Sequence, residues 1–247
     1  MRPWIKMVFI FLLAIISVWL AWSLLIFQVN ISVSGEEPVF LAGDRVIVSR
    51  LSYGLRLPGE YLFGLQRTSE ILPVRGDRVA FNDPLSQCKS VSSRPICVGT
   101  CIALPGDTVW MNWSPEKRFQ NNICSQKYPF VVPGVKHPVQ VHPWNITLLA
   151  NMLHLHEHRN VCWNCDSLLV VDGVQLQKVN FSEDYVWIFN QNNPHAYDSR
   201  IFGFLPYSHL IGRLLWITYS KDPKQSFFRG YRYERFLRPV SSKNAEK

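Results

Sequence analysis

Charged residues are scarce in this chain and unevenly placed. They make up 18% of its 247 residues against 47% hydrophobic residues, which is too apolar a composition for a disordered protein. No acidic residue precedes Glu36, and no basic residue lies between Lys6 and Arg45. The basic residues behind the net charge of +8 are scattered rather than clustered on one element, which argues against a nucleic-acid partner. No fixed-period repeat is present, so a repeat architecture is excluded.

The stretch 8–29 is an uncharged apolar run of 22 residues. A helix of this length spans a ~30 Å hydrocarbon core. Arg2 and Lys6 precede it, and by the positive-inside rule they keep the N-terminus in the cytoplasm. The sequence therefore predicts a cytoplasmic segment 1–7, a single-pass anchor in the cytoplasmic (inner) membrane and an exported remainder. The alternative is a cleaved secretory signal with a small-residue site at 32–34, although signal h-regions are usually shorter.

Export changes the interpretation of the six cysteines, because disulfides persist outside the cytoplasm. Cys162 and Cys165 form a C-x-x-C, and His154, His156 and His158 precede it; all are zinc-ligand types. On a helix, His154 and His158 would share one face. A second C-x-x-C pair is lacking, so the sequence predicts a helix end followed by a disulfide or two free thiols, with no metal or other cofactor. Metal binding and redox chemistry stay open as alternatives.

After the apolar run the sequence is rich in short β-branched and aromatic segments bounded by turn residues, which is typical of strands. The predicted strands are 46–48, 79–81, 108–110, 168–171, 186–189 and 214–219. Three of them follow a Gly-Asp pair, at 43–44, 76–77 and 106–107. Glycine supplies a positive φ and aspartate bonds to nearby backbone, so each pair predicts a turn into a strand.

One further helix is predicted at 145–156, where Pro143 precedes apolar residues at helical spacing and Asn145 or Thr147 can cap the first turn. The surrounding stretch 111–180 interrupts the strand pattern. We therefore expect a mainly β (all-β) protein. Its β core comprises 30–110 and 181–247, and 111–180 forms an insertion subdomain that contains the short helix.

Four segments, in this order behind a single anchor, resemble the boxes of the type I signal peptidase family. They are Pro38 with 43–48 and 52–54, then 75–81 with Pro84, then 101–109, and finally 198–203 with Pro206 and 211–213. The resemblance implies a β-rich exported domain beside the membrane. It also implies cleavage of signal peptides by a serine nucleophile with a lysine general base. Burial must lower the pKa of that lysine so that it can accept the proton of the serine.

Both catalytic positions of that family are glycine here. The nucleophile lies three residues before the proline, which from Pro38 is Gly35, and the base lies eight residues before the Asp of Leu-Pro-Gly-Asp, which from Asp107 is Gly99. The resemblance thus identifies an apparent paralogue without the serine–lysine dyad.

Other family positions have changed as well. The serine that helps the family's oxyanion hole is Val33 here, and the serine near its base is Ala196. A one-residue bulge could place Ser34 at the nucleophile's position, but Lys89 and His195 are both poorly placed to act as its base. Asp198 and Arg200 remain from the last box, and we expect them to form a structural ion pair.

Two functions from different classes follow from the resemblance. The first is a non-catalytic membrane protein associated with signal peptide recognition in protein secretion, with signal peptides of exported preproteins or an active signal peptidase paralogue as its partner. The second is an active signal peptidase I that uses a relocated nucleophile such as Ser34. A purely structural envelope protein is a third possibility.

Overall fold

Most of the chain folds into short antiparallel strands. The computed structural model describes residues 3–31, 40–57, 65–86, 90–112, 127–163, 168–190, 197–226 and 228–240. The helices among them are α1 (Pro3–Leu25), α2 (Ile146–Leu155) and α3 (Ser199–Phe202). The strands are β1 (Ile26–Asn30), β2 (Asp44–Ser49), β3 (Arg78–Asn82), β4 (Ile96–Ala103), β5 (Thr108–Asn112), β6 (Lys127–Val131), β7 (Val139–Gln140), β8 (Val161–Trp163), β9 (Leu169–Val171), β10 (Val174–Leu176), β11 (Lys178–Val179), β12 (Tyr185–Phe189), β13 (Leu205–Pro206), β14 (Leu210–Ser220) and β15 (Arg238–Pro239). The predicted mainly β fold is confirmed.

Eight strands form one antiparallel sheet in the order β1-β2-β14-β3-β4-β12-β13, with β15 beside β14. Strand β14 is central, since it pairs with β2, β3 and β15. Its register shifts at three places, and such bulges bend a strand and increase its twist. Strand β3 is buried on both faces: Val79 and Phe81 belong to one apolar cluster and Ala80 to the other.

The end of the predicted anchor is a strand rather than part of a helix. Helix α1 ends at Leu25, and β1 pairs with β2 from Ile26 opposite Ser49 to Asn30 opposite Arg45. The run 26–29 is as apolar as the helix before it, so composition alone does not separate them. Pairing does, because it buries Val29 in the cluster under β2. Within the described residues, no helix is both long and apolar enough to cross a membrane.

The elements between β5 and β11 surround an apolar cluster of their own. Helix α2 supplies its centre, and the cluster extends onto the main sheet through Tyr185 and Trp187 of β12. The predicted helix is confirmed, with Asn145 as its N-cap residue. The side chain of Asn145 bonds to the preceding chain: its Oδ1 accepts from His142 N at 2.8 Å, and its Nδ2 donates to Gln140 O at 2.8 Å.

Three turns of one design lead into β2, β3 and β5. Each contains a glycine of positive φ, 90° at Gly43, 88° at Gly76 and 89° at Gly106, as predicted. In each turn, two hydrogen bonds join the aspartate to the residue three positions before it. The backbone N–H of the aspartate donates to the carbonyl oxygen of that residue, and the backbone N–H of that residue donates to Oδ2 of the aspartate. The donors are Leu41 to Asp44 (2.9 Å), Val74 to Asp77 (3.0 Å) and Leu104 to Asp107 (2.8 Å). The carboxylate therefore closes the turn that the glycine makes possible.

Each of these aspartates also meets an arginine from another part of the chain. Arg75 pairs with Asp107, and Arg213 Nε lies 3.3 Å from Asp77 Oδ1. The third pair is buried: Arg235 Nη2 lies 2.6 Å and its Nε 3.2 Å from the two oxygens of Asp44. This bidentate pair joins the C-terminal segment to the start of β2.

We expect Arg235→Met to lower the free energy of unfolding by about 3–5 kcal/mol, because Asp44 would be left as a buried charge without its counterion. Guanidinium titration of the full chain in detergent measures this. The matched control is Arg238→Met, since Arg238 lies nearby on β15 with an exposed side chain. We expect it to change stability by less than about 0.5 kcal/mol. Equal effects of the two substitutions would contradict a structural role for the pair.

Candidate functional site

Gly99, which the sequence predicts at the position of the family's base, lies in the middle of the main sheet. Gly99 is buried on β4 and stands opposite Val79 of β3. Side chains alternate along a strand, so Cys97 and Cys101 share its face. The cluster on this face also contains Phe81 and Ile188. A side chain at this position would therefore enter the apolar interior of the sheet.

The space that a side chain would need is already filled. A Cβ atom built on Gly99 overlaps the Cγ2 methyl of Ile188, and it would lie 3.1 Å from Asn190 Oδ1 and 3.6 Å from Phe81 Cε1. The backbone at Gly99 is not in the left-handed region, so no conformational requirement selects glycine here. Close approach of β12 selects it instead. The position is closed by packing.

The two thiols that flank this position are poor nucleophiles. Burial, reinforced by the nearby Asp83 carboxylate, raises the pKa of Cys97 to about 11. Burial, reinforced by Asp77, raises the pKa of Cys101 to about 12. Thiolate rather than thiol is the reactive form, so both side chains stay inert near neutral pH.

The residues that fill the space are held in place by the remains of the family's last box. Asp198 is fully buried and accepts the backbone N–H of Asn190 at 3.1 Å. Ser199 Oγ accepts the backbone N–H of Ile188 at 2.9 Å. Consecutive residues at the start of α3 thus fix the two residues of the β12 segment that close over Gly99.

The expected ion pair of Asp198 and Arg200 is present. Arg200 Nη2 lies 2.7 Å from Asp198 Oδ2 and its Nε lies 2.9 Å from Oδ1. The hydrogen bonds to Asp198 raise the pKa of the Arg200 guanidinium, which also lies over the Phe189 ring at 4.7 Å. The pair ties α3 to the end of β12, and in this geometry it is structural.

The nucleophile's half of the site lies outside the described residues. This applies to Val33, Ser34, Gly35, Lys89, His195 and Ala196. The chain on both sides of 32–39 is fixed to the start of β2: Ile31 N donates to Asp44 O at 2.9 Å, and Gly43 N donates to Ile31 O at 2.8 Å. Phe40 is buried in the cluster under β2.

His154 and His158 do not share a helical face, because the helix ends before His158. Helix α2 ends at Leu155, and His158 lies beyond it with a φ of 53°. Cys162 is exposed on β8, and Cys165 lies outside the described residues. Across the described parts of the chain, no group of three or more His, Cys, Asp or Glu side chains could hold a metal ion.

His154 and His158 are exposed, whereas His156 of the same group is half-buried. Its ring lies 5.6 Å from that of His209, whose Nε2 is 2.9 Å from Arg94 Nη1. Burial lowers the pKa of His156 to about 4 and that of His209 to about 2, so both rings are neutral near pH 7. This contact packs the end of α2 against the main sheet. No local pattern in the sequence pairs the two histidines.

The curled sheet and the boxes that form its turns define a protein of the signal peptidase class. The family model "Signal peptidase, peptidase S26" matches residues 2–219, and the chain belongs to this family. Signal peptidase I of Aquifex aeolicus (strain VF5) is 25% identical over 209 residues, covering 74% of this chain and 72% of the relative. Signal peptidase I of Buchnera aphidicola subsp. Acyrthosiphon pisum (strain APS) is 22% identical over 219 residues, covering 76% and 67%. The predicted family membership is confirmed.

We expect Gly99→Ala to destabilise the protein by about 1–3 kcal/mol, because its methyl group overpacks the contact with Ile188. Ile188→Ala alone should cost about 2–5 kcal/mol through the cavity that it leaves. The double variant should lose less free energy of unfolding than the sum of the two single losses, because the methyl group at position 99 then enters the space vacated by Ile188. Guanidinium titration of all four proteins measures this coupling.

Ile217→Ala provides the matched control, because Ile217 is equally buried but belongs to the cluster on the other side of the sheet. Its effect should add to that of Gly99→Ala. If the effects of Gly99→Ala and Ile188→Ala on the free energy of unfolding also added, Ile188 would not be the residue that fills the space at position 99.

Proposed function

We propose that this chain is a membrane-anchored, non-catalytic member of the signal peptidase family that takes part in signal peptide recognition during protein secretion. The observation that carries the proposal is the closure at Gly99. The family's base position lacks a lysine, and Ile188 and Asn190 also occupy the space that its side chain would need.

Loss of the base has a large chemical consequence. A serine hydroxyl is a weak nucleophile until an adjacent base takes its proton. In serine proteases, removal of the nucleophile or the base costs up to ~10⁶ in kcat. A hydroxyl supplied by Ser34 would still lack a lysine at position 99, and the thiols of Cys97 and Cys101 on the face of Gly99 are protonated near neutral pH.

Peptide binding does not need a dyad. An extended peptide can add to the edge of a sheet through backbone hydrogen bonds and side-chain pockets alone. Strand β1, which leads into the segment that bears Gly35, is an edge strand paired only with β2 among the described residues. This arrangement favours a binding protein whose client is a signal peptide of an exported preprotein or an active signal peptidase paralogue.

The anchor is supported by the sequence and by side-chain exposure. The run 8–29 is uncharged, and Arg2 and Lys6 precede it. On α1 the described apolar side chains lie open to the surroundings: Phe9 is 63% exposed, Ile10 65% and Phe11 67%. Apolar side chains exposed along one helix are costly in water and favourable in lipid.

We expect the purified chain in lipid to leave a bacterial preprotein uncleaved over long incubation, because the base is missing. Gel electrophoresis of the preprotein measures this, with an active signal peptidase I as the positive control. Cleavage that is abolished in Ser34→Ala would contradict the proposal and establish the relocated-nucleophile enzyme.

A gain-of-function series sharpens this test. Gly35→Ser with Gly99→Lys restores the dyad in sequence, but Ile188 should prevent its assembly. Adding Ile188→Ala makes room for the lysine stem, so the triple variant should cleave when the double variant does not. Val33→Ser and Ala196→Ser should raise the rate further, since an oxyanion donor is worth ~10²–10³. A well-folded triple variant without activity would show that the peptide groove itself has diverged.

We expect alkaline phosphatase fused after Lys247 to be active in a bacterial host, because the positive-inside rule directs the chain after the anchor out of the cytoplasm. The same enzyme fused before Met1 should be inactive. Arg2→Glu with Lys6→Glu should reduce the activity of the C-terminal fusion. A mature N-terminus at Gly35, found by N-terminal sequencing, would instead establish a cleaved signal.

A further inference from the structure

A groove of about 640 Å³ lies between the main sheet, α2 and the hairpin of β5 and β6. It is on the face of β12 opposite Gly99: Trp187 and Phe189 line it, whereas Ile188 between them faces Gly99. Its volume falls within the range of ligand sites. Its lining is mainly apolar and includes Trp110, Met111, Leu155, Trp187, Phe189 and Ile201.

One border of the groove is an open strand edge. Strand β5 pairs only with β6 among the described residues. The consecutive residues Val109, Trp110 and Met111 all line the groove. Since successive side chains of a strand point to opposite faces, a cavity that touches three in a row runs along the edge of the strand rather than over one face.

The backbone of Trp110 points toward this open edge. Trp110 stands opposite Pro129 of β6, and proline has no N–H to donate to a ladder. The carbonyl of Pro129 accepts from Trp144 Nε1 at 3.3 Å. Val132 N donates to Asp107 O at 2.8 Å, so 107–132 is a hydrogen-bonded pair, and the two kinds of pair alternate from there along the ladder. Trp110 and Pro129 therefore form a non-hydrogen-bonded pair, in which the N–H and C=O of each residue face outward. Pro129 thus leaves the outer edge of β6 without one hydrogen-bond donor, whereas the outer edge of β5 keeps the N–H of Trp110.

The rim of the groove leaves large apolar side chains in water. Trp110 is 61% exposed, Ile201 56% and Leu155 42%. These residues come from β5, α2 and the helix α3, so their exposure is shared by three walls of one cavity. A chain that filled the groove would remove this surface from water, which is favourable by about 25 cal/mol per Å².

The charge at the groove is positive. The ionised side chains among its described lining residues are Lys127 and Arg200, and none of these residues is acidic. Arg200 is neutralised by Asp198. Lys127 is exposed at the end of the hairpin, opposite Asn112. A ligand that carries a carboxylate at this end would be complementary in charge.

We propose that this groove binds an extended, apolar peptide segment of a partner protein, which adds as a strand to the edge of β5 and places a carboxylate beside Lys127. The strand edge selects a peptide over a lipid-like amphiphile, because only a polypeptide backbone can match the outward N–H and C=O of Trp110. The groove is separate from the closed position at Gly99, and its occupancy does not depend on signal peptide recognition.

The probe is a short fluorescein-labelled peptide of alternating valine and threonine that ends in aspartate, titrated by fluorescence anisotropy against the full chain in lipid nanodiscs. We expect saturable binding. A twin peptide N-methylated on the bonds that face β5 should bind at least about tenfold more weakly, because it cannot donate to the strand edge. Free oleate should not displace the probe.

Variants of the chain locate the site. Trp110→Ala should weaken binding about tenfold, as for an aromatic anchor, whereas Trp216→Ala on β14, whose side chain is also exposed, should leave it unchanged. Lys127→Glu should weaken the binding of the aspartate-ended probe and strengthen the binding of the same peptide ending in lysine, each by about two- to fivefold. Lys178→Glu, on exposed strand β11, is its control. Ser34→Ala should have no effect.

Three outcomes would overturn the proposal. Absence of binding would do so directly. Equal affinity for the N-methylated twin would show that the strand edge is not used. Displacement by oleate, with loss of probe binding in Trp110→Ala, would identify the groove as an amphiphile site instead.

Discussion

Three aspartates, each placed after a glycine at a turn into a strand, fix the framework on which the rest of the structure is built. Each carboxylate closes its own turn and reaches an arginine from a distant segment, and the pair of Asp44 and Arg235 is buried. A buried charge that loses its partner is costly, so this buried pair constrains the C-terminal segment and the start of β2 that it joins. Two of the turns enter strands of the main sheet, and the third enters the hairpin beside it.

The three turns and the packing at Gly99 are physically compatible because they use different atoms. The turns depend on backbone conformation and on aspartate oxygens, neither of which involves the side chain at Gly99. With glycine at position 99, no amine has to be desolvated in this apolar interior. Ile188 and Asn190 then approach the strand, and Asp198 and Ser199 hold them there. Asp198 and Ser199, which lie in the segment that resembles the family's last box, thus support the closed core.

The parts of the fold that the sequence predicts are those with a local cause. Strand β3 follows a Gly-Asp turn and contains the strand-favouring residues Val79 and Phe81, and the N-terminus of α2 follows a proline and an asparagine cap. The start of β1 could not be predicted, because its apolar residues continue those of α1 and only pairing with β2 distinguishes them. At the site, the absence of a lysine is visible in the sequence. The filling of its space by Ile188 is not, since that contact joins two strands distant in sequence.

Strand β12 connects the closed position to the open groove. Ile188 packs toward Gly99, while Trp187 and Phe189 on either side of it form the floor of the groove. A shift of β12 large enough to admit a side chain at Gly99 would therefore displace two aromatic rings from the groove and strain the bonds from Asp198 and Ser199. Interiors are close-packed and transmit such displacements. Closure at Gly99 therefore keeps β12 fixed, and a fixed β12 is what a preformed groove on the other face requires.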